Sequence, residues 1–481
     1  MQHRRVYAGL ALAGLAAIAA VATGPTAVAE GTSSAAGRLV VLHEDHFDEG
    51  ASRHRYHLVA PDGERTELLF DDRGPEGLGG RDVRVTGRRE RPNVLRVGSS
   101  AAVADSGSGA AAAPAQAAPA TVTKKVAVIL FDFADSSDAE RPVTADLARE
   151  VVFGTATSST PTVRQFLTET SFSQLALAGG SSPAGDVFGW VRLDARKTDA
   201  CAFDSWGQQA RQRATSLGFV DNSYDQVIHL MPTGTCNFGG VAYMPGKYSW
   251  TVLRKPGDAR LIPALRGVTS HEYGHSLGIH HAGSYRCAAG GTFVALSSNC
   301  TLEEYGDPFS VLGMSFHERQ YHGYQKGRVS WVSQSTTTIT ATGTYSVSSV
   351  SGAAAGPQVL RIARPATKGT TDYYYLELRQ PAGSFDAFAA TDPVVNGLSV
   401  RIAPDYSVNA ISKLLDMTPN SILTPANRAI GEGGDFTDAA LPIGSSYIDS
   451  GMGLTVKLMS ITNGVADVAV TMPTATSRGR K

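Results

Sequence analysis

The chain has 481 residues, enough for two to four domains. Its 43 Lys and Arg against 44 Asp and Glu give a net charge of -1, which excludes a one-signed surface for nucleic acid or anionic membrane. Charged residues at 18% and 51 Gly suit an exported protein rich in strands, loops and small residues.

The N-terminus carries Arg4 and Arg5, an apolar run from Val6 to Val21, and small residues ending Ala27-Val28-Ala29. Charge, apolar core and an A-x-A end make a signal peptide, residues 1–29, and predict a secreted, extracellular protein. An uncleaved anchor is the alternative. The run is short for a spanning helix and Gly24-Pro25 follows it. No later segment is long and apolar enough for stable membrane insertion.

Residues 30–98 read as a small β domain, with strand runs in RYHLV, RTELLF, DVRVTG and NVLRV. A pro-domain role is open to this unit. It contains no Cys, which rules out a Cys blocking group. The stretch HEDHFDEG, 43–50, offers His43, Asp45 and His46, whose carboxylate could plug a metal site, but its composition reads first as an acidic surface loop. Residues 99–121 are Ala/Ser/Gly/Pro-rich, lack the apolar side chains of a core, and read as a linker open to proteases.

The unit 122–333 opens with the buried-strand run Val126–Phe133. Helices are predicted after Thr144, ending by Gly154; from Pro161; and from Asp204, as N-cap, to Gly218. Strands FGWVRLDA and YDQVIHLMP alternate with them, the pattern of an α/β (α+β) domain with a mixed sheet. GGVAYMPG, 239–246, is a candidate edge strand for an extended peptide or a plain Gly-rich connection; Tyr243, Met244 and Tyr248 offer apolar contacts or core. The four Cys fall in two local pairs, and Cys201–Cys236 with Cys287–Cys300 is the preferred pairing of the three. Residues 334–473 carry short Thr/Val/Tyr-rich strands between Gly, Pro and Asn, a β sandwich, and 474–481 form a polar tail.

The chemistry concentrates in HEYGHSLGIHH, 271–281, where four of only 12 His fall within eleven positions. On a helix over 262–277, His271 and His275 are four apart and share a face, so both imidazoles can reach one ion at roughly 2.0–2.1 Å. Glu272 projects beside that ion, placed to take a proton from a water the ion acidifies. Gly278 permits a sharp bend that returns His281 as a third ligand, and three neutral His leave one position open, the mark of a catalytic zinc site. Requiring both Gly278 and His281 makes coincidence roughly 400-fold rarer than for HExxH alone. His280 reads as a structural neighbour.

HEYGHSLGIHH fits the metzincin pattern H-E-x-x-H-x-x-G-x-x-H. With EYGDPFSVLGMS (304–315) and the YHGYQKGRVSWV that follows, the chain resembles the gametolysin-type (M11) secreted metallopeptidases over about 122–333. The resemblance implies one catalytic zinc on His271, His275 and His281, Glu272 as general base in hydrolysis of protein or peptide substrates, and a metzincin-like domain with an active-site helix flanked by the N-terminal β domain and the C-terminal sandwich. It also implies a Met beneath the metal. Leu312 stands where that Met is expected and Met314 lies two residues on, leaving both open; Phe316 excludes a Tyr ligand there. No EF-hand spacing supports Ca2+. The C-terminal domain is open to glycan, cell wall or protein, a monomer is expected, and no nucleic-acid partner is. The rival readings are a secreted binding or adhesion protein with a vestigial site, and a peptidase whose third ligand is Glu303 or Glu304.

Overall fold

The computed structural model describes residues 32–473 except 76, 107–120, 155–157, 159, 235, 366–370 and 422–433. The predicted signal peptide, most of the linker and the tail lie outside these residues. No described helix is long and apolar enough to cross a membrane.

The middle of the molecule is a mixed sheet. Strand Val122–Asp132 pairs in parallel with Gln226–Pro232, Leu175–Ala178 and Asp186–Arg192, and Gln226–Pro232 pairs in parallel with Tyr248–Leu253. Gly240–Tyr243 closes this side, antiparallel to Tyr248–Leu253. Both faces of Val122–Asp132 are covered, so its apolar run is nearly continuous. Val126, Val128 and Leu130 face helices α1 (Ala145–Val152), α2 (Val163–Thr170) and α4 (Leu261–Ser276), whereas Ala127, Ile129 and Phe131 face α3 (Phe203–Ala214). The short helix α5 (Gly323–Arg328) follows the motif-bearing loop.

Thr144 caps α1 by accepting the Leu147 amide, as its position suggests, and Thr162 caps α2 in the same way. The expectation that Asp204 caps α3 is overturned. Ala202 holds that position, and Asp204 lies in the first turn with its carboxylate on Arg65 (2.8 Å) and the Tyr243 hydroxyl (2.7 Å). A charged partner from another strand outweighs a local amide.

Residues 32–105 form a closed ring of five strands: Thr32–His46, Ala51–Val59, Arg65–Phe70, Val94–Gly98 and Asp82–Arg91, the last returning to the first. Val103–Asp105, read from sequence as linker, adds to Asp82–Arg91. Leu39, Leu58, Leu68, Val83, Val85 and Leu95 fill the ring. The far half of Thr32–His46 stays paired with Ala51–Val59 and on its other side pairs antiparallel with Gly240–Tyr243, joining ring and middle sheet into one 12-stranded sheet.

Toward the C-terminus, a nine-stranded and a four-stranded sheet share one core that includes Leu360, Leu376, Val400, Leu454, Val456 and Val468. The larger sheet takes in Ala282–Ala289, Thr292–Val294 and Cys300–Glu303 from before residue 333. Both disulfides pair as expected, Cys201 with Cys236 and Cys287 with Cys300.

Candidate metal centre

Helix α4 supplies the first part of the site. Leu261, Leu265 and Tyr273 anchor it to the sheet, and His271, Glu272 and His275 are fully buried. Gly274 lies on its underside, where an added Cβ would come within 2.9–3.1 Å of the Tyr321 hydroxyl and both Leu312 methyls. Only glycine lets those groups support the helix this closely. Gly278 then ends it at a φ of 87°, with its own amide on His275 O (2.8 Å) and the Ile279 amide on Gly274 O (3.0 Å). These two bonds are the helix-terminating pair that a left-handed glycine permits. The bend returns His281 to the helix face.

The three imidazoles meet. Nε2 of His271 lies 3.0 Å from Nε2 of His275 and 3.3 Å from Nε2 of His281. Each opposite nitrogen is anchored: Nδ1 of His271 on Val311 O (2.7 Å), of His275 on Ile279 O (2.8 Å), and of His281 on Glu304 Oε1 (3.0 Å). Carbonyl and carboxylate acceptors require Nδ1 to carry the hydrogen, so the Nε2 lone pairs turn inward and face one another. Three converging lone pairs repel unless a cation or a proton sits among them. Nitrogens about 3.3 Å apart are also the spacing that tetrahedral ligands at 2.0–2.1 Å require. The residues present fit zinc.

A fourth side chain enters here, one that the sequence offered only as the second reading of residues 43–50. Residues 43–46 are not an exposed acidic loop. They belong to strand Thr32–His46 and all four are buried. Asp45 Oδ1 stands 2.7 Å from His281 Nε2, where a proton on His281 can take the place of a cation, and accepts from the Tyr305 hydroxyl (2.7 Å), while Oδ2 stands 3.3 Å from His275 Nε2 and 3.5 Å from His271 Nε2. Burial opposes both charges, but the pair sustains itself: the imidazoles hold the Asp45 carboxyl well below the usual carboxylate range, and Asp45 with Glu304 pushes His281 up to about 9. His271, where burial dominates, is pushed down to about 4.

Glu272 has neither carboxylate oxygen in a hydrogen bond. Burial, then the charge of Asp45, raises its proton affinity well above that of an ordinary glutamate. Across from it Gly240 leaves no room for a side chain, since a Cβ there would run into the Glu272 carboxylate.

The remaining candidates separate clearly. His280 accepts the His281 amide at Nδ1 (2.7 Å) and borders His43 and His54 rather than the three converging nitrogens. Glu303 pairs with Arg286 and Glu304 backs His281, so neither stands in for His281. His46 lies against Asn237 O. Leu312 forms the floor beneath Gly274, in the place of the expected methionine. Sequence reasoning missed Tyr305 and the support from Val311. For Asp45 the sequence offered the plug as an alternative reading of residues 43–50, and the two-residue spacing of His43 and Asp45, which puts both on one side of a strand, is a signal that could have strengthened it.

The family profile described as gametolysin peptidase M11 matches residues 125–384. No curated protein matches the chain. Among solved structures, archaemetzincin from Methanopyrus kandleri is 16% identical over 33% of this chain and 76% of its own, with a TM-score of 0.18. OgpA from Akkermansia muciniphila is 12% identical over 63% of this chain and 94% of its own, with a TM-score of 0.28. With over half of its length matched, the chain belongs to the gametolysin peptidase M11 family and is a zinc metallopeptidase.

Proposed function

We propose that the protein is a secreted endopeptidase of the metzincin type, acting on peptide bonds of extracellular proteins, with His271, His275 and His281 as zinc ligands and Glu272 as general base. The observation that carries this is the convergence of three Nε2 atoms whose Nδ1 partners fix their direction. Bound there, zinc supplies Lewis-acid polarisation of water and of the scissile carbonyl. Glu272, buried and with free oxygens, takes the proton of the attacking water and returns it to the departing amine nitrogen. Once the segment 42–45 that pairs along it is displaced, Gly240–Tyr243 offers an extended peptide the outer edge of the sheet next to that carboxylate. Leu312 and Tyr321 hold α4 at its glycine so that the imidazoles keep their spacing.

Casein digestion by zinc-loaded protein cut in the linker at 99–121 tests this, comparing wild type with Glu272→Ala and both with a chelator. The variant is expected to lose roughly 10²–10⁴-fold in rate while keeping its zinc, and the chelator to abolish what remains. Equal digestion by wild type and variant contradicts the assignment of Glu272.

A further inference from the structure

The outer edge of Gly240–Tyr243 is not free. Leu42, His43, Glu44 and Asp45 lie opposite Tyr243, Ala242, Val241 and Gly240, and the ladder is flanked by Met244 N on Val41 O and Gly239 N on Asp45 O, both 2.8 Å. Alternate side chains of this segment enter the metal centre. His43 stacks on His275 with ring centres 4.2 Å apart, Asp45 meets all three imidazoles, and Phe47 stands edge-on to His271 at 5.1 Å. Glu44 turns the other way, to Arg55 at 2.6 Å. The result is a centre sealed from solvent: His271, Glu272, His275 and His281 are all 0% exposed.

We infer that the N-terminal ring is a built-in inhibitor, with residues 42–45 seated in the peptide-binding edge and Asp45 as the group that fills the open position of the metal. This rests on the endopeptidase reading above. A substrate strand and the segment 41–45 need the same backbone hydrogen bonds, so they exclude each other. A carboxylate is a good oxygen ligand for zinc, and Asp45 already lies where the three Nε2 atoms converge. Tyr305 and His281 orient that carboxylate from two sides. Further contacts hold the ring on the middle unit: Arg65 to Asp204 (2.8 Å) and to the Tyr243 hydroxyl (3.0 Å), and Ser52 to Glu304 (2.5 Å). The chain joining the two, GSGAAAAPAQAAPA at 107–120, has no charged residue and is rich in small side chains, a composition suited to proteolytic release of the ring.

The test uses the full chain with cobalt(II) in place of zinc and acetohydroxamate, a small bidentate metal ligand, as the probe, read from the cobalt visible spectrum. Apparent affinity scales with the fraction of molecules whose site is open, so a plug closed in nine of ten molecules weakens the probe about tenfold. Asp45→Asn keeps the side-chain volume and removes the charge. It is expected to bind acetohydroxamate at least about tenfold more tightly than wild type, and to digest casein faster by a similar factor. Equal probe affinity in the two proteins overturns the inference. A crystal of zinc-loaded wild type needs no variant: an Asp45 oxygen on the metal supports the plug, and a water there with Asp45 turned away overturns it. Tighter probe binding by Asp45→Asn, with no casein digestion by either protein before or after the linker is cut, keeps the plug and defeats the endopeptidase reading; equal digestion by both does the reverse.

Discussion

The loop from Asp307 to Met314 touches two buried clusters of charge that are completed in opposite ways. On one side, Val311 O receives His271 in the metal centre. On the other, Asp307 meets Arg401 at 2.7 Å, Arg401 meets Glu377 at 2.8 Å, and Arg379 meets Asp386 at 2.5 Å. This second cluster neutralises itself, with guanidinium facing carboxylate and the Gly323 amide also on Glu377. The metal centre turns three Nε2 atoms toward one another, with the Asp45 carboxylate against them and Glu272 beside it. The ion-pair cluster fastens the C-terminal sheet to the loop under α4, whereas the metal centre gathers atoms that could hold a cation. Neither burial of charge nor unpartnered buried atoms, which both clusters contain, distinguishes the two; the pairing of guanidinium with carboxylate in one and the convergence of three imidazole nitrogens in the other does.

This contrast can be broken from either side. The largest effect is expected from His271→Ala, which should leave the dialysed protein without zinc by metal analysis and without caseinolysis, while its circular dichroism stays close to wild type. Asp307→Ala strikes the other cluster and removes one of the two carboxylates on buried Arg401, leaving Glu377, which is expected to cost about 3 kcal/mol of stability by denaturant unfolding, with a zinc-loaded folded fraction still able to hydrolyse peptide. Gly240→Ala adds a methyl where the Glu272 carboxylate lies, and displacing that base by about 1 Å should lower kcat by roughly 10²-fold with bound zinc unchanged. Glu304→Gln weakens the support behind His281, and zinc affinity measured against a competing chelator should fall by about 10–100-fold. If Asp307→Ala instead strips the metal, or His271→Ala unfolds the chain, the two clusters are not the separate devices described here.

The part of the site that lies close in sequence was legible. His271, Glu272, His275, Gly278 and His281 span eleven residues, and helical spacing plus one positive φ account for their meeting. The disulfide pairs were local too, 35 and 13 residues apart. Asp45 was legible only as the less favoured alternative, because its approach depends on a strand pairing between residues about 200 apart in sequence, and no local pattern reports which edge a strand joins. Its neighbours also mislead: His43, Glu44, Asp45 and His46 are buried although polar, contrary to the usual sorting of side chains, because they pack on other polar groups. The same long-range competition moved Asp204 from a helix cap to Arg65 and Tyr243. At the expected methionine position, Leu312 fills the floor under Gly274, where apolar volume suffices.

The most direct test of the central claim is anomalous diffraction at the zinc edge from crystals of the full chain grown with zinc. The account predicts one strong peak within coordination distance of Nε2 of His271, His275 and His281. A peak only among His43, His54 and His280, the neighbouring cluster that could also hold an ion, or no peak in excess zinc, would contradict it.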